Sequence, residues 1–200
     1  TKQSEARDIY QQMAEDPHIS PAGLAVHIGS QICDLGPFER AYSALLALAV
    51  ELRDAGLPVP NLDLGGGIGV DYDTAGPTDF TEYGLLVQRL FAGQGFSLGF
   101  EPGRSIIANN GALVTRVIYV KQGAKKRFII VDAAMNDLLR PTLYEAHHAI
   151  WTLDEPGIST TKADIVGPVC ETGDYLGLDR DMPDLSAGDG LVILSAGAYG

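Results

Sequence analysis

Three apolar, strand-like runs recur roughly every 36 residues, the beat of a strand–loop–helix unit in a parallel sheet. They are Leu24-Ala25-Val26-His27-Ile28, Asn61-Leu62-Asp63-Leu64 and Ser97-Leu98-Gly99-Phe100. Between the first two lies a helical pattern from Phe38 to Ala55, with apolar residues at Leu45, Leu48, Ala49 and Leu52 and a closing Gly56. Between the second and third, a helix is expected over about Asp79 to Ala92, with Asp79 as N-cap and Gly93 near its stop. Parallel strands buried on both faces require helical crossovers of this size, so the class is α/β. A (β/α)8 barrel and a doubly wound sheet both fit this beat, and the residues at the end of each strand favour the barrel.

After about Gly111 the character changes. Ala112 to Val120 and Arg127 to Val131 read as strands joined by the turn-like Gln122-Gly123-Ala124, and further strands are expected at Ala149–Thr152, Ala163–Val166 and Leu191–Leu194. Helix signals nearly vanish. The expected organisation is therefore part of a barrel over residues 1–110 and part of an antiparallel β domain over 111–200. The chain opens on Thr1 inside a helical pattern (Lys2 to Glu15) and stops at Ala198-Tyr199-Gly200, directly after an apolar strand. It reads as an internal piece of something longer.

Composition narrows the partners. The chain carries 46% hydrophobic residues, enough for a sizeable core, and a net charge of −12. Its longest basic run is the triplet Lys125-Lys126-Arg127, so a nucleic-acid backbone or an anionic membrane would be repelled. No stretch of about 18 apolar residues suggests a membrane span, and no basic segment precedes an apolar one as in a signal peptide. Cys33 and Cys170 stand far apart, in no Cys/His spacing that suits zinc, which points to a reducing, cytoplasmic setting with no metal.

Each strand of the βα half ends in a polar or glycine-rich cluster: His27-Ile28-Gly29-Ser30-Gln31, Gly65-Gly66-Gly67-Ile68-Gly69 and Glu101-Pro102-Gly103-Arg104. In a βα barrel the carboxyl ends of the strands converge on one mouth, where the active site is built. The three glycines allow backbone N–H groups to approach an anion such as phosphate, although alone they fit a tight turn equally well. An arginine can grip a carboxylate or phosphate bidentately, yet Glu101 and Arg104 also fit a local ion pair. His27 alone reads as a core histidine, and Ser30 as either a helix cap or a phosphate ligand.

In combination the motifs are specific. HIGSQ, then GGGIG, then EPGR, each at a strand end one βα unit apart, resemble the alanine-racemase-like barrel of the pyridoxal-phosphate (PLP) dependent ornithine/diaminopimelate/arginine decarboxylases. The resemblance continues through Leu138-Leu139-Arg140-Pro141-Thr142-Leu143-Tyr144 and Gly167-Pro168-Val169-Cys170-Glu171-Thr172-Gly173-Asp174 to Ala198-Tyr199-Gly200.

The resemblance implies a PLP cofactor, with His27 stacked on its ring, Glu101 paired with the pyridine nitrogen, and Ser30 with the Gly65, Gly66 and Gly67 turn on its phosphate. Pro102, Gly103, Arg104 and Tyr199 complete the cofactor side. It implies further that Arg104, Arg140 and Tyr144 bind the distal carboxylate of an amino-acid substrate, with Tyr199 closing the pocket. Arg140 and Tyr144 are four apart, so a helical turn would set them on one face. Cys170, as catalytic proton donor, and Glu171, on the substrate's distal ammonium, match a pair that serves a second subunit's site, which implies a homodimer with shared active sites. The Arg140/Tyr144 pair, and Glu171 where ornithine enzymes carry Asp, favour meso-2,6-diaminopimelate as substrate, giving L-lysine and CO2. Ornithine, arginine or carboxynorspermidine would be the sibling substrates, and a non-catalytic regulatory homologue the alternative of another class.

One element of the family pattern is missing. Its cofactor-anchoring lysine belongs to an earlier barrel strand, and Lys2, Lys121, Lys125, Lys126 and Lys162 stand in no such context. Lys121, Lys125 and Lys126 flank the expected hairpin turn, where a solvated surface role is the default.

Overall fold

The computed structural model describes residues 3–73, 80–154 and 160–200 of the chain. Its elements run α1 (Gln3–Glu15), β1 (Gly23–Ala25), α2 (Leu35–Asp54), β2 (Asn61–Asp63), α3 (Thr81–Phe91), β3 (Ser97–Gly99), α4 (Gly103–Ile107), β4 (Leu113–Gln122), β5 (Arg127–Val131), α5 (Arg140–Tyr144), β6 (Ile150–Thr152), β7 (Thr160–Val166), β8 (Tyr175–Pro183) and β9 (Gly190–Ile193). The described residues of 3–69 and 80–105 form one compact unit, and those of 70–73 and 106–200 a second.

The first unit is a parallel sheet in the order β1-β2-β3, in the register Leu24 to Leu62 to Leu98. Its crossovers are helical, as the sequence beat requires. α2 begins a turn earlier than its apolar pattern, because Pro37 falls where the backbone N–H has no helical partner to lose. Asp34 caps it by accepting from the Gly36 N–H at 3.1 Å. At the far end Gly56 takes φ +82, while Gly56 N–H donates to the Arg53 carbonyl and Leu57 N–H to that of Leu52, the pattern of a Schellman stop. The expected N-cap Asp79 and the residue Lys2 lie outside the described residues. Phe38, Tyr42, Leu45, Leu48, Ala49 and Leu52 form the buried stripe of α2 and pack with Leu62, Leu64, Leu86, Val87 and Phe91. Tyr42 also donates to the Leu64 carbonyl at 3.1 Å, which ties the core to the end of β2.

The second unit holds a six-stranded sheet in the order β6-β9-β4-β5-β7-β8. Four of its five pairings are antiparallel, and the β5–β7 pair is parallel. The sheet is thus mainly antiparallel, as expected, with one parallel pair. β8 was not foreseen: its centre, Leu178-Asp179-Arg180-Asp181, has the composition of a loop, yet it lies at the sheet edge, where charge is tolerated. Val117, Ile129, Val131, Ile165, Leu176, Met182, Leu191 and Ile193 fill the core.

Two basic residues at this turn bind it to the rest of the sheet, Lys126 from the exposed surface, as expected, and Arg127 from the interior. Lys126 pairs with the buried Asp164 at 2.9 Å and with Asp179 at 3.4 Å, so it clips the β4–β5 turn to β7 and β8. Arg127 is buried, and its guanidinium donates to the carbonyls of Thr161 (3.1 Å), Met182 (2.7 Å) and Pro183 (3.1 Å). Truncation of Arg127 to Ala in the full-length protein leaves those carbonyls without a donor and is expected to cost roughly 2–4 kcal/mol in urea denaturation; a loss below about 1 kcal/mol would refute that role.

Candidate active site

The polar residues of the first unit come together at the carboxyl ends of its three strands, because the parallel ladder continues past them. Val26 N–H donates to the Asp63 carbonyl, Leu64 to Gly99, Glu101 to Gly65 and Ile32 to Gly67, at 2.8–2.9 Å each. These approaches depend on glycine. A Cβ at Gly66 would stand 2.1 Å from the Glu101 carbonyl oxygen, and one at Gly67 would stand 2.2 Å from that of Gly29, with the Gly67 φ at +100 besides. Asp63 fixes the turn by accepting from the Gly65 N–H at 2.8 Å.

Around that turn stand the side chains singled out in the sequence. His27 is exposed, and its Nδ1 accepts from the Gly66 N–H at 3.4 Å, which leaves the proton of a neutral ring on Nε2. Arg104 directs Nε and Nη2 onto the Ser30 hydroxyl oxygen at 3.3 and 3.0 Å. Ser30 thus does not cap α2, a role held by Asp34, and its own hydroxyl proton remains for a further acceptor. The Gly67 N–H has no acceptor among the described residues. Hydroxyl, guanidinium and backbone N–H groups are a donor set that fits a phosphate. The imidazole and the exposed Glu101 carboxylate beside them fit a flat, protonated heteroaromatic ring, so the residues present suit PLP.

The second unit gathers Arg140, Tyr144, Cys170 and Glu171. Cys170 and Glu171 are exposed on the turn between β7 and β8. The buried Asp174 organises that turn: its carboxylate accepts from Val169 N–H and Met135 N–H, both at 2.7 Å, while Gly167 lies so close that a Cβ would strike the same carboxylate. The Thr142 hydroxyl of α5 donates to the Gly173 carbonyl, which sets α5 beside the Cys170 turn.

Arg140 and Tyr144 do share one helical turn, but they do not share one environment. Arg140 is 8% exposed and Tyr144 69%. The Arg140 guanidinium lies over the Tyr72 ring at 4.2 Å, and its Nη1 is 2.8 Å from His148 Nε2. His148 is fully buried, with Nδ1 2.9 Å from the Leu194 carbonyl. Burial pushes its pKa down to about 4, and the neighbouring Arg140 charge acts in the same direction, so the ring is neutral near pH 7. Tyr199 is exposed, in the left-handed region at φ 59, and sits next to Ala198, which packs with Val70, Tyr72 and Ala108. Asp63, Tyr72, His148 and Asp174 were not among the candidates. Asp174 closes a motif already singled out, whereas Tyr72 and His148 stand far apart in sequence and give no local sign.

Lys121 lies on β4, Lys125 and Lys126 in the turn after it, and Lys162 on β7, so none of these stands at the ends of β1, β2 or β3.

Comparison with known proteins places this arrangement. Residues 9–197 match the family described as pyridoxal-dependent decarboxylase, C-terminal sheet domain. The chain belongs to this family. Within it, the chain is 46% identical to the diaminopimelate decarboxylase of Zymomonas mobilis and 45% identical to that of Neisseria meningitidis, in each case over 98% of this chain and 47% of the relative. The crystal structure of diaminopimelate decarboxylase from Helicobacter pylori complexed with L-lysine superposes with a TM-score of 0.92 at 38% identity, over 99% of this chain and 49% of that one. The chain therefore spans about half the length of the curated relatives it matches. No helix among the described residues is long and apolar enough to cross a membrane.

The buried histidine of this family member has a pH consequence. A histidine whose folded pKa lies below its unfolded value near 6.5 favours folding when neutral. Its contribution is complete above about pH 6.5 and is lost as pH falls toward the folded value of about 4. His147 acts in the same direction, since burial first and Arg180 second lower its pKa while Asp73 opposes them. Between about pH 7 and pH 5 the full-length protein should lose about 2 kcal/mol of stability through His148 alone. Urea titrations of wild type and His148→Gln should show that increment vanish in the variant; equal pH slopes would refute it.

Proposed function

We propose that the protein to which this chain belongs binds PLP and decarboxylates meso-2,6-diaminopimelate to L-lysine and CO2. The observation that carries this reading is the convergence of His27, Ser30, Gly65–Gly67, Glu101 and Arg104 on one set of strand ends in a pyridoxal-dependent decarboxylase. The relatives named diaminopimelate decarboxylase, at about 45% identity, and the lysine complex of the Helicobacter pylori enzyme support the substrate.

In this reading residues 1–110 supply part of a βα barrel and 111–200 part of the β domain. Ser30, the Gly65–Gly67 turn, Pro102, Gly103, Arg104 and Tyr199 hold the phosphate side of the cofactor, and His27 covers its ring. Glu101 holds a proton on the pyridine nitrogen, because an anionic partner favours the charged form. When bound, the cofactor supplies a sink for the electron pair left by departing CO2. Arg104, Arg140 and Tyr144 bind the distal carboxylate and Glu171 the distal ammonium. The Cys170 thiol delivers a proton to the carbon that loses CO2. Cys170 and Glu171 serve the site of a second copy, so the working unit is a homodimer. The cofactor-anchoring lysine belongs to a segment outside these residues.

Release of CO2 by the full-length enzyme from diaminopimelate, ornithine, arginine and carboxynorspermidine should favour diaminopimelate strongly; a preference for ornithine would overturn the substrate assignment. Cys170→Ala should lower kcat about 100-fold or more with PLP affinity nearly unchanged. Turnover at the wild-type rate would remove Cys170 as the proton donor. Arg140→Ala should instead raise KM for diaminopimelate by about tenfold or more, the mark of lost ground-state binding, and an unchanged KM would refute its carboxylate role.

A further inference from the structure

A guanidinium that is to capture a carboxylate has to be held before the ligand arrives, since an unanchored arginine must be immobilised on binding, at a cost in affinity. Arg140 opens a helix of only five residues, too short to direct a long side chain by itself. What directs it lies elsewhere in the second unit. Arginine has donors only and stays charged, so the 2.8 Å contact of Nη1 with His148 Nε2 requires the lone pair on that nitrogen. The remaining ring proton is then on Nδ1, where it meets the Leu194 carbonyl at 2.9 Å. The tautomer is thereby set from both sides. The Tyr72 ring packs edge-on to the His148 ring, with centroids 5.0 Å apart, and lies under the Arg140 guanidinium at 4.2 Å. Tyr72 is in turn tied down, because its carbonyl accepts from the Ala149 N–H at 3.2 Å, one residue past His148.

We propose that His148 is a positioning residue for Arg140. Its neutral imidazole, fixed between the Leu194 carbonyl and the Tyr72 ring, sets the orientation in which the guanidinium meets the substrate's distal carboxylate. This rests on the assignment of Arg140 to that carboxylate in the proposed function. His148 touches no substrate and acts only through Arg140.

Two conservative variants separate this role from a merely structural one. His148→Asn keeps a donor where Nδ1–H stands, for Leu194, and removes the acceptor for Arg140. His148→Gln brings an amide oxygen toward the place of Nε2 and gives up the donor to Leu194. In the full-length holoenzyme, His148→Asn should raise KM for diaminopimelate about tenfold with kcat within about twofold, whereas His148→Gln should lose less than about threefold. The inhibition constant of L-lysine, which keeps the distal carboxylate, should rise with KM. That of 1,5-diaminopentane, which has no carboxylate, should stay within about twofold.

Equal losses in the Asn and Gln variants, or equal weakening of both inhibitors, would overturn the proposal. If His148→Asn does not fold, Tyr72→Leu, which leaves His148 in place, is expected to show the same carboxylate-selective loss, and a non-selective effect would overturn the proposal. Arg140→Ala keeps the two levels apart. If it raises KM and the L-lysine constant while His148→Asn and Tyr72→Leu do not, only the positioning role fails. If Arg140→Ala itself changes neither, the assignment of Arg140 fails, and the role of His148 with it.

Discussion

A methyl group on the α-carbon of residue 66 would stand 2.1 Å from the Glu101 carbonyl oxygen, and the polar strand ends of the first unit can meet only because none is there. The same holds at Gly65 against the Val26 carbonyl and at Gly67 against that of Gly29. With side chains at these positions the loops after β1, β2 and β3 would be forced apart, and the hydrogen bonds from Glu101 to Gly65 and from Ile32 to Gly67 would break. His27, Ser30, Glu101 and Arg104 are therefore neighbours by virtue of backbone contact. A turn needed for packing and a turn open to an anion are here the same turn, because the residue type that permits close approach also leaves the Gly67 N–H without an acceptor among the described residues.

The second unit depends on buried charge that is met largely by backbone and ring groups, with Asp184 also pairing with Arg127 at 3.2 Å. Arg127 is surrounded by carbonyls at the ends of β7 and β8, Asp174 by two N–H groups from separate loops, and Arg140 by an imidazole and a phenol ring. Burial of a charge is costly unless its hydrogen-bonding capacity is met. Each such residue therefore fixes the segments that satisfy it. The Cys170 turn is ordered in this way from below by Asp174, and it is joined to α5 through Thr142 and Gly173. The exposed residues proposed for chemistry stand on supports that are themselves buried.

Much of this was legible in the sequence. The period of the apolar residues located α2 and the three parallel strands, and the polar clusters after those strands marked residues that the structure brings together at the strand ends. The limits were physical. Periodicity gives the type of an element and not its neighbour, so the parallel pairing of β5 with β7 could not be read from it. β8 escaped because an edge strand tolerates a charged run such as Asp179-Arg180-Asp181. Lys126 is a surface residue as read, but its pairing was hidden because its buried partner, Asp164, stands on another strand. The spacing of Arg140 and Tyr144 predicted a shared turn correctly, but a contact 8 residues away in sequence, with His148, draws Arg140 inward while Tyr144 faces solvent.

The β5–β7 pairing has a consequence in time. β4 and β5 are joined by a tight turn and can pair as soon as both exist, but β7 can join β5 only after the chain of residues 132–159 has looped back. Such distant pairings are slow, because the entropy of closing the loop is lost before the contacts form. α5 and His148 lie within that loop, and the Cys170 turn comes directly after β7. The parts of the second unit that carry Arg140 and Cys170 thus take shape only with this late pairing. Substitutions in the crossover should therefore leave the folding rate nearly unchanged and register in the unfolding rate and the equilibrium stability.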